Sequence, residues 1–342
     1  MRTLALTGAL AGFCILAACG GGGTTPPKRA DTGAAKIGLL LDDLRQERWQ
    51  RDRDLFVSRA EELRAKVEVR TGEGTSEGQL KAANELLDAG VKVLVVVPND
   101  LEKAIAIVDA ATAKKVPVIS YDRLIRGADV AMYVSFDNVK VGRMQAEALL
   151  SRAPRGNYVL LGGAQSDNNA HLLRDGQMEV LKPAVASGAV KIVAEPWIDG
   201  WDEGVAKTQM ASILKKTKNV AAVVASNDSI AKGAIDALAE ANLAGKVPVS
   251  GQDAEIGACQ RIVAGTQTMT VYKPLKTLAR MAAGDAVKLA GGQSAGSLTT
   301  MNNGKKDVPA RLLDPISVDK SNLDVTVISD GYHTRDEVYG SK

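Results

Sequence analysis

Short apolar runs that end in polar residues and alternate with helical patterns are the feature that most constrains how this chain can fold. In the stretch 220–253, an apolar run at 220–225 leads to Asn227, and an amphipathic helical pattern follows. A second run at 247–249 leads to Asp253. This alternation predicts a parallel sheet covered by helices. In such sheets ligands bind outside the carboxyl ends of the strands, where Asn227 and Asp253 are expected.

The same alternation recurs along the chain in two consecutive series. The apolar runs of the first series lie at 35–41, 66–70, 91–97, 116–120 and 130–135, and those of the second at 158–161, 190–194, 220–225, 247–249 and 268–271. A helical segment at 140–152 separates the series, and strand-like pieces follow near 311–313 and 325–328. The sequence therefore predicts an α/β protein in which two similar lobes with parallel sheets face each other.

Each predicted lobe is assembled from two separate parts of the chain. The first lobe comprises 36–138 plus 274–310, and the second comprises 139–273 plus 311–342. This division follows because the chain is expected to return to the first lobe after Lys273. A cleft between two lobes is a preferred site for a small molecule, so we expect the binding site to lie between them.

The N-terminal end has the composition of an export signal. A short basic start precedes an uncharged apolar segment at 4–15, which is too short to span a bilayer as a mature helix. The sequence Leu-Ala-Ala-Cys at 16–19 resembles the lipobox of bacterial lipoproteins. We therefore predict a lipoprotein signal peptide at 1–19, lipidation of Cys19 and a flexible tether at 20–35. The alternative is a plain secretory signal that is cut at small residues.

Charge and cysteine content exclude some classes of protein. A net charge of +3 over 342 residues provides no concentrated basic face for nucleic acid. Two of the three cysteines lie within the predicted signal peptide, so the remaining Cys259 has no partner for an internal disulfide. Cys259 lies in a helical pattern and is predicted to be a small buried hydrophobic residue.

Bidentate hydrogen-bonding side chains, cations and tryptophans concentrate after the predicted strands. They are Asp42, Asp43, Asn99, Asp122, Arg123, Asp137, Asn138, Asn168, Asn169, Trp197, Trp201, Asn227, Asp228, Asp253 and Lys273, with Trp49 soon after the first strand. The hydroxyl groups of a pyranose both donate and accept hydrogen bonds, which suits Asp, Asn and Arg. Its apolar C–H faces stack on aromatic rings. The set therefore favours a sugar-binding site.

Each of these residues also has a structural interpretation. An Asp or Asn after a strand is often only the N-cap of the next helix, and the expected caps are Asp43, Asp137, Asp167 and Asp228. Trp49 alone would fit a hydrophobic core, and Asp122 with Arg123 would fit a structural salt bridge. Caps do not require tryptophan or arginine at the same strand ends, so the set as a whole still favours a site.

Motifs for catalysis, nucleotide binding and metal binding are absent from the sequence. No segment matches G-x-x-x-x-G-K-[ST] or G-x-S-x-G. The two histidines, His171 and His333, have no metal-ligand partner at helical spacing. We therefore expect no catalytic residue, no metal and no cofactor. A secreted glycosidase, which needs only paired carboxylates, remains an open alternative.

Several motifs resemble those of the D-xylose-binding proteins of bacterial ABC importers. They are ERWQ at 47–50, YDR at 121–123, TQTMTVYKP at 266–274 and DVPARLL at 307–313. The similarity covers nearly all of residues 36–335 and places the chain among the ribose- and galactose-type periplasmic binding proteins. It implies the type I fold, in which two Rossmann-like lobes are joined by a hinge of three crossings and close around one sugar.

The resemblance also implies which side chains bind the sugar. Those expected to hold its hydroxyl groups are Arg48, Asp122, Arg123, Asn169, Asn227, Asp253 and Lys273. Trp49 and Trp201 are expected to sandwich the ring, and the second choices next to them are Asn168 and Trp197. The lipobox is a departure, because many relatives are free in the periplasm.

These expectations describe a receptor. The chain is expected to be a monomeric, lipid-anchored protein on the periplasmic or extracellular face of the membrane, which captures D-xylose and delivers it to an ABC permease. The alternatives are a receptor for ribose, arabinose or glucose, and a ligand carrier for a chemoreceptor or sensor kinase. A LacI-type repressor would need an N-terminal helix-turn-helix, and the signal-like sequence occupies that end.

Overall fold

The computed structural model describes residues 35–296 and 299–340. The predicted signal peptide at 1–19, its lipidation site Cys19 and nearly all of the tether at 20–35 lie outside the described residues. Among the helices of the described ranges, none combines the length and the apolar character that crossing a membrane requires.

The first series of strands and helices follows the predicted alternation. In chain order its elements are β1 (Lys36–Leu41), α1 (Glu47–Glu62), β2 (Lys66–Thr71), α2 (Ser76–Asp88), β3 (Val93–Val96), α3 (Ile105–Ala113), β4 (Val118–Tyr121) and β5 (Met132–Phe136). Neighbouring strands are parallel, in the order β5-β4-β3-β1-β2. Every residue of β3 is buried, as expected for a central strand with helices on both faces.

The second series forms a smaller sheet. Its elements are α4 (Asn138–Arg152), β6 (Gly156–Leu161), α5 (Asn168–Ala186), β7 (Val190–Ala194), α6 (Glu203–Lys216), β8 (Val220–Ala225), α7 (Asp228–Glu240), α8 (Ile256–Ala264) and β9 (Thr270–Tyr272). Strands β7, β6 and β8 are parallel in that order. The predicted strand at 247–249 is reduced to one parallel bridge between Val223 and Val249. Pro248 has no backbone N–H to donate, which limits the ladder there.

The last part of the chain contributes to both lobes. Its elements are α9 (Leu275–Ala290), β10 (Thr299–Asn302), β11 (Asp307–Leu313), β12 (Ile316–Val318) and α10 (Arg335–Tyr339). Strand β11 pairs with β5 and β10, which completes a seven-stranded sheet in the first lobe, and β12 pairs with β9 of the second. The chain therefore crosses between the lobes after β5, after β9 and after β11. The predicted lobe boundary at 310 needs correction, because β11 continues to Leu313.

The strand-like piece expected near 325–328 is a short π-helix, Asp324–Ile328. Its β-branched residues favour a strand by propensity, but the fold uses them differently. Leu323 and Val327 are buried together in a hydrophobic cluster that also contains Ile262 of α8. Tertiary packing on one helical face therefore overrides the local preference for a strand.

The prediction that Cys259 is a buried hydrophobic residue is confirmed. It lies on α8 with no exposed surface, within the same cluster. Burial raises the pKa of its thiol to about 12, so the side chain is an unreactive thiol at neutral pH.

Helices α4 and α5 pack backbone against backbone because each has a glycine at the contact. A Cβ atom on Gly142 would lie 2.0 Å from the carbonyl oxygen of Leu173, and one on Gly176 would lie 1.9 Å from that of Val139. Helix α4 begins at a crossing between the lobes, and α5 carries Asn169 in its first turn. This close contact therefore fixes the position of part of the site described next.

Candidate functional site

The residues that follow the strands of both lobes meet in a cleft whose inner part is a small cavity. The cavity is lined by Gln46, Arg48, Trp49, Asp122, Arg123, Asp167, Asn169, Trp201, Gln252, Asp253 and Lys273. It holds about 280 Å³ of space not filled by protein atoms, part of it open to solvent. A wider outer cleft shares Arg123 and Asp167 with this cavity. The structure thus brings together eight of the nine predicted ligand-binding residues, all except Asn227.

Arg48, in the first turn of α1, connects the two lobes. Its side chain is buried, with 3% of its surface exposed. Nη2 donates to Oδ2 of Asp122 at 2.8 Å, and Nη1 donates to Oδ1 of Asp253 in the second lobe at 3.4 Å. Lys273 reaches the same Asp253 oxygen at 2.8 Å. Asp253 therefore lies between two cations from different parts of the chain.

Arg123 forms a second connection between the lobes. Its Nη1 donates to Oδ2 of Asp42 at 2.9 Å within the first lobe. Its Nε lies 2.8 Å from Oδ2 of Asp167 in the second lobe, and Nε1 of Trp201 donates to the same oxygen at 3.2 Å. The Asp167 carboxylate thus fixes both an arginine and a tryptophan of the cavity.

Asn169 crosses the cleft in the opposite direction. From the start of α5, its Nδ2 donates to Oδ1 of Asp122 at 3.1 Å and to the Asp122 carbonyl oxygen at 3.2 Å. At the rim of the cleft, the backbone N–H of Leu101 donates to the carbonyl oxygen of Ser166 at 2.8 Å. These bonds hold the lobes in a closed arrangement.

The two predicted sandwich tryptophans both line the cavity. Trp49 is 4% exposed, and the guanidinium carbons of Arg48 and Arg123 lie 4.1 and 5.3 Å from the centroid of its ring. Trp201 packs on Gly163, where a Cβ atom would lie 2.2 Å from the indole. Glycine at that position therefore permits the indole to lie against the backbone.

Trp197, a second choice, does not line the cavity. It packs against Gly162 and His171, and the Arg174 guanidinium lies 4.9 Å from its ring centroid. Asn168, the other second choice, is buried next to the cavity-lining Asn169 but is not part of the lining.

Three lining residues have backbone conformations that side chains normally avoid. The φ angles are +61° at Asp122, +56° at Trp201 and +96° at Asp253. The carbonyl oxygen of Asp122 accepts hydrogen bonds from the hydroxyl groups of Tyr133 at 3.0 Å and Ser135 at 2.6 Å, which stabilise its conformation. Strained residues of this kind concentrate at functional sites, because the surrounding structure must hold them.

The buried charges of the cavity compensate one another. Burial by itself would raise the pKa of Asp122, but the charges of Arg48 and Lys273 outweigh it, and the pKa is lowered. At Asp167 burial dominates and raises the pKa, although Arg123 opposes the rise. Asp122 is therefore a permanent hydrogen-bond acceptor at neutral pH, and no cation of the lining lacks a carboxylate partner.

Two amide oxygens of the lining are available to a ligand. Within the described part of the chain, Oδ1 of Asn169 and Oε1 of Gln252 are buried and have no hydrogen-bond partner. Buried acceptors normally have a donor, so these two suit the hydroxyl groups of a ligand. Residues 35–296 and 299–340 contain no cluster of three or more His, Cys, Asp or Glu side chains that could hold a metal ion.

Sequence reasoning missed two lining residues, Gln46 and Gln252. It predicted Asp167 only as a helix cap and missed its place in the lining. Asp167 is the N-cap of α5, as predicted, and accepts from the N–H of Asn169 at 2.9 Å. Its contact with Arg123 joins positions far apart in the chain, and nothing local indicates it. Gln46 lies two residues before Arg48, and Gln252 directly precedes Asp253. This closeness to predicted site residues is the one signal in the sequence that could have found them.

Of the remaining predicted caps, Asp137 is confirmed and two are wrong. Asp137 accepts from the N–H of Lys140 at the start of α4. Asp43 instead accepts from Arg45 in the turn before α1. At α7 the cap is Asn227, whose Oδ1 accepts from the N–H of Ile230 at 2.9 Å, and Asp228 is the first residue of the helix. Asn227, predicted to bind the ligand, therefore caps α7 and is not part of the cavity lining.

Comparison with known proteins identifies the family of the chain. Residues 37–294 match the model of the periplasmic binding protein domain. The D-xylose-binding periplasmic protein of Escherichia coli is 50% identical over 304 residues, which cover 89% of this chain and 92% of the relative. The protein of the same description from Haemophilus influenzae is 49% identical over 305 residues, with 89% and 92% covered.

Among solved structures, a carbohydrate-transporter solute-binding protein from Chloroflexus aurantiacus, in complex with D-glucose, matches with a TM-score of 0.83. It is 33% identical, and the match covers 88% of this chain and 97% of that one. The fold, the three crossings, the cleft and these matches lead to one conclusion. The chain belongs to the periplasmic binding proteins and has their type I fold.

Proposed function

We propose that this chain is an extracytoplasmic receptor that captures D-xylose in its cleft and delivers it to an ABC permease. The observation that carries the proposal is the cavity. Three cations, three carboxylates and two tryptophans line it, and both lobes contribute to the lining. Hydrogen-bonding side chains suit the hydroxyl groups of a sugar, and the two indole rings suit its apolar faces.

The choice of sugar rests on the relatives. Both relatives near 50% identity are described as D-xylose-binding, whereas the protein bound to D-glucose is 33% identical. A pentose lacks the exocyclic CH2OH of glucose, so a cavity fitted to xylose would reject hexoses by steric clash. A receptor for another monosaccharide, such as glucose, ribose or arabinose, is the second candidate.

The closed arrangement supports a capture mechanism. A sugar that contacts Arg48 and Trp49 in the first lobe and Asn169 and Trp201 in the second can make all its contacts only when the lobes are together. Such a ligand shifts the population toward the closed state, which the permease can then recognise. The same shift would serve a chemoreceptor or sensor kinase.

We also propose that the mature protein is a monomer anchored to the membrane by lipid on Cys19. The lipobox-like sequence at 16–19 and the glycine-rich residues after it support the lipid anchor. Mass spectrometry of the mature N-terminal peptide tests the anchor. A mass without added acyl chains would overturn it and favour a plain secretory signal.

Calorimetry on residues 20–342 tests the function. D-xylose is titrated first, followed by ribose, arabinose, glucose and galactose, and the recovered sugar is checked for chemical change. We expect saturable one-to-one binding of D-xylose, with the sugar recovered intact. Binding of a different sugar alone would overturn the specificity, and consumption of the sugar would make the protein an enzyme.

A further inference from the structure

Arg48 has a partner that lies behind the cavity. Its Nη2 and Nε lie 3.0 and 3.3 Å from Oδ2 of Asp52, one helical turn further along α1. Asp52 is 1% exposed and is not among the lining residues. The carboxylate therefore contacts the guanidinium from within the first lobe. Nη2 is shared between Asp52 and Asp122, while Nη1 faces Asp253.

Asp52 is itself fixed by Tyr121, the last residue of β4. The Tyr121 hydroxyl donates to Oδ1 of Asp52. The Tyr121 ring packs edge-on against Phe56 of α1, with the ring centroids 6.4 Å apart. Because Asp122 follows Tyr121 directly, one strand end supplies both an anchor for Asp52 and a partner for Arg48.

A buried carboxylate at this place is costly. Burial raises the pKa of Asp52, and the charge of Arg48 offsets only part of the rise. Buried ion pairs are weak evidence for stability, because desolvation cancels much of the attraction. We therefore expect Asp52 to contribute mainly by orienting the Arg48 guanidinium and only little to stability. A guanidinium recognises its partners through a planar fork, and a second carboxylate that holds the fork restricts how it can rotate.

We propose that Asp52 is a positioning residue for sugar binding, which sets the orientation of the Arg48 guanidinium through the Tyr121–Asp52–Arg48 chain of contacts. This inference rests on the proposed function, since it assumes that Arg48 contacts the sugar. Asp52 acts on affinity without touching the ligand, because it fixes the donor before the ligand arrives.

The first test replaces Asp52 and a matched neighbour. Asp52→Asn keeps the shape of the side chain but removes the charge that holds the fork, and we expect D-xylose to bind about tenfold more weakly, as for loss of a charge-assisted hydrogen bond. Asp54→Asn removes the same charge from an exposed site on α1, where Asp54 pairs only with Arg53 among the described residues, and should leave affinity unchanged. Calorimetry measures both. Unchanged affinity in Asp52→Asn would overturn the proposal.

A double-mutant cycle separates positioning from a general structural effect. In an Arg48→Lys background the cation remains, but the lysine ammonium has no fork to orient. Asp52→Asn should then change affinity by less than about twofold, because residues that act through one another are not additive. An equal loss in both backgrounds would show that Asp52 acts independently of Arg48 and would refute its positioning role.

Tyr121→Phe gives a second route if Asp52→Asn folds poorly. It keeps both charges and the ring but removes the hydroxyl that fixes Asp52. We expect about threefold weaker binding, a smaller loss than in Asp52→Asn because the charge that contacts Arg48 remains. Affinity equal to wild type would contradict the chain of contacts. The wild-type titration keeps the two proposals apart. If the wild type binds another sugar, the cycle is run with that sugar; if it binds none, the proposed function fails, and the positioning role fails with it.

Discussion

At the scale of single residues, Trp49 and Trp201 offer the sharpest test of how the cavity holds a ligand. If they sandwich a sugar ring, replacing either with Ala should weaken binding by about 1.5–3 kcal/mol, the value of a buried aromatic face. Trp197→Ala is the matched control, because Trp197 lies outside the lining. Calorimetric titration of the three variants decides the matter, and wild-type affinity in both Trp49→Ala and Trp201→Ala would exclude the sandwich.

The same residues show how far a sequence can predict a site. Asp122, Arg123 and Asp253 were identified because each follows a strand, and the ends of parallel strands meet at one edge. Asp167 also follows a strand, but its role depends on Arg123 from the other lobe, and a cap and a site residue look alike in sequence. Such pairings between distant residues require the assembled fold.

At the scale of elements, the prediction succeeded where the hydrophobic pattern was long and failed where it was short. The continuous apolar run at 91–97 predicts a central strand, and β3 occupies Val93–Val96 within it. The segment at 325–328 has a β-branched composition but packs as a π-helix, because residues distant in the chain cover one of its faces. Short segments take their conformation from their neighbours in space.

The contact between α4 and α5 can be tested with one methyl group. Gly176→Ala places a Cβ atom against the carbonyl oxygen of Val139, and the overpacking should destabilise the protein by about 1–3 kcal/mol. Gly284→Ala in α9 is the control, because the new Cβ would have no described atom within 4 Å apart from its chain neighbours and the backbone of its own helix. Helix propensity predicts a gain of about 0.5–1 kcal/mol. Denaturant midpoints measure both changes. Equal stability of Gly176→Ala and wild type would mean that the helices can separate at little cost.

At the scale of the whole molecule, the two lobes meet through charged and polar groups. The contacts include the pairs of Arg48 with Asp253 and of Arg123 with Asp167, and the bond from Asn169 to Asp122. Leu101 with Ser166 and Arg51 with Tyr332 add further hydrogen bonds. Hydrophobic clusters remain within the lobes or at the crossings. A polar interface of this kind is typical of domains that move relative to one another, so the closed arrangement can reopen.

The stability of the whole chain should depend on pH through Glu255, next to the second-lobe edge of the cleft. Burial raises the pKa of Glu255 from 4.5 to about 7, and the nearby charge of Asp253 adds to the rise. The acidic side chains of Asp228 and Glu47 also face Glu255, and the positive charge of Arg261 opposes the rise. Because the folded pKa is the higher one, folding takes up a proton between these values. The free energy of unfolding therefore falls as pH rises through that window.

Glu255→Gln should remove this fall in the free energy of unfolding, because glutamine does not titrate. Its melting temperature relative to wild type should increase from pH 5 to pH 8, and thermal unfolding at several pH values measures the difference. Glu61→Gln, at an exposed position on α1, controls for the change from glutamate to glutamine. A difference between Glu255→Gln and wild type that stays constant across this range would contradict the assignment.

The position of Arg123 and Asp167 has a consequence for kinetics. This pair lines both the inner cavity and the outer cleft, and the bond between Leu101 and Ser166 lies at the rim. If the proposed sugar fills the cavity with these contacts closed over it, it leaves only after the lobes part. The rate of dissociation then cannot exceed the rate at which the lobes open. A weakly bound sugar and a tightly bound sugar therefore have the same maximum rate of dissociation.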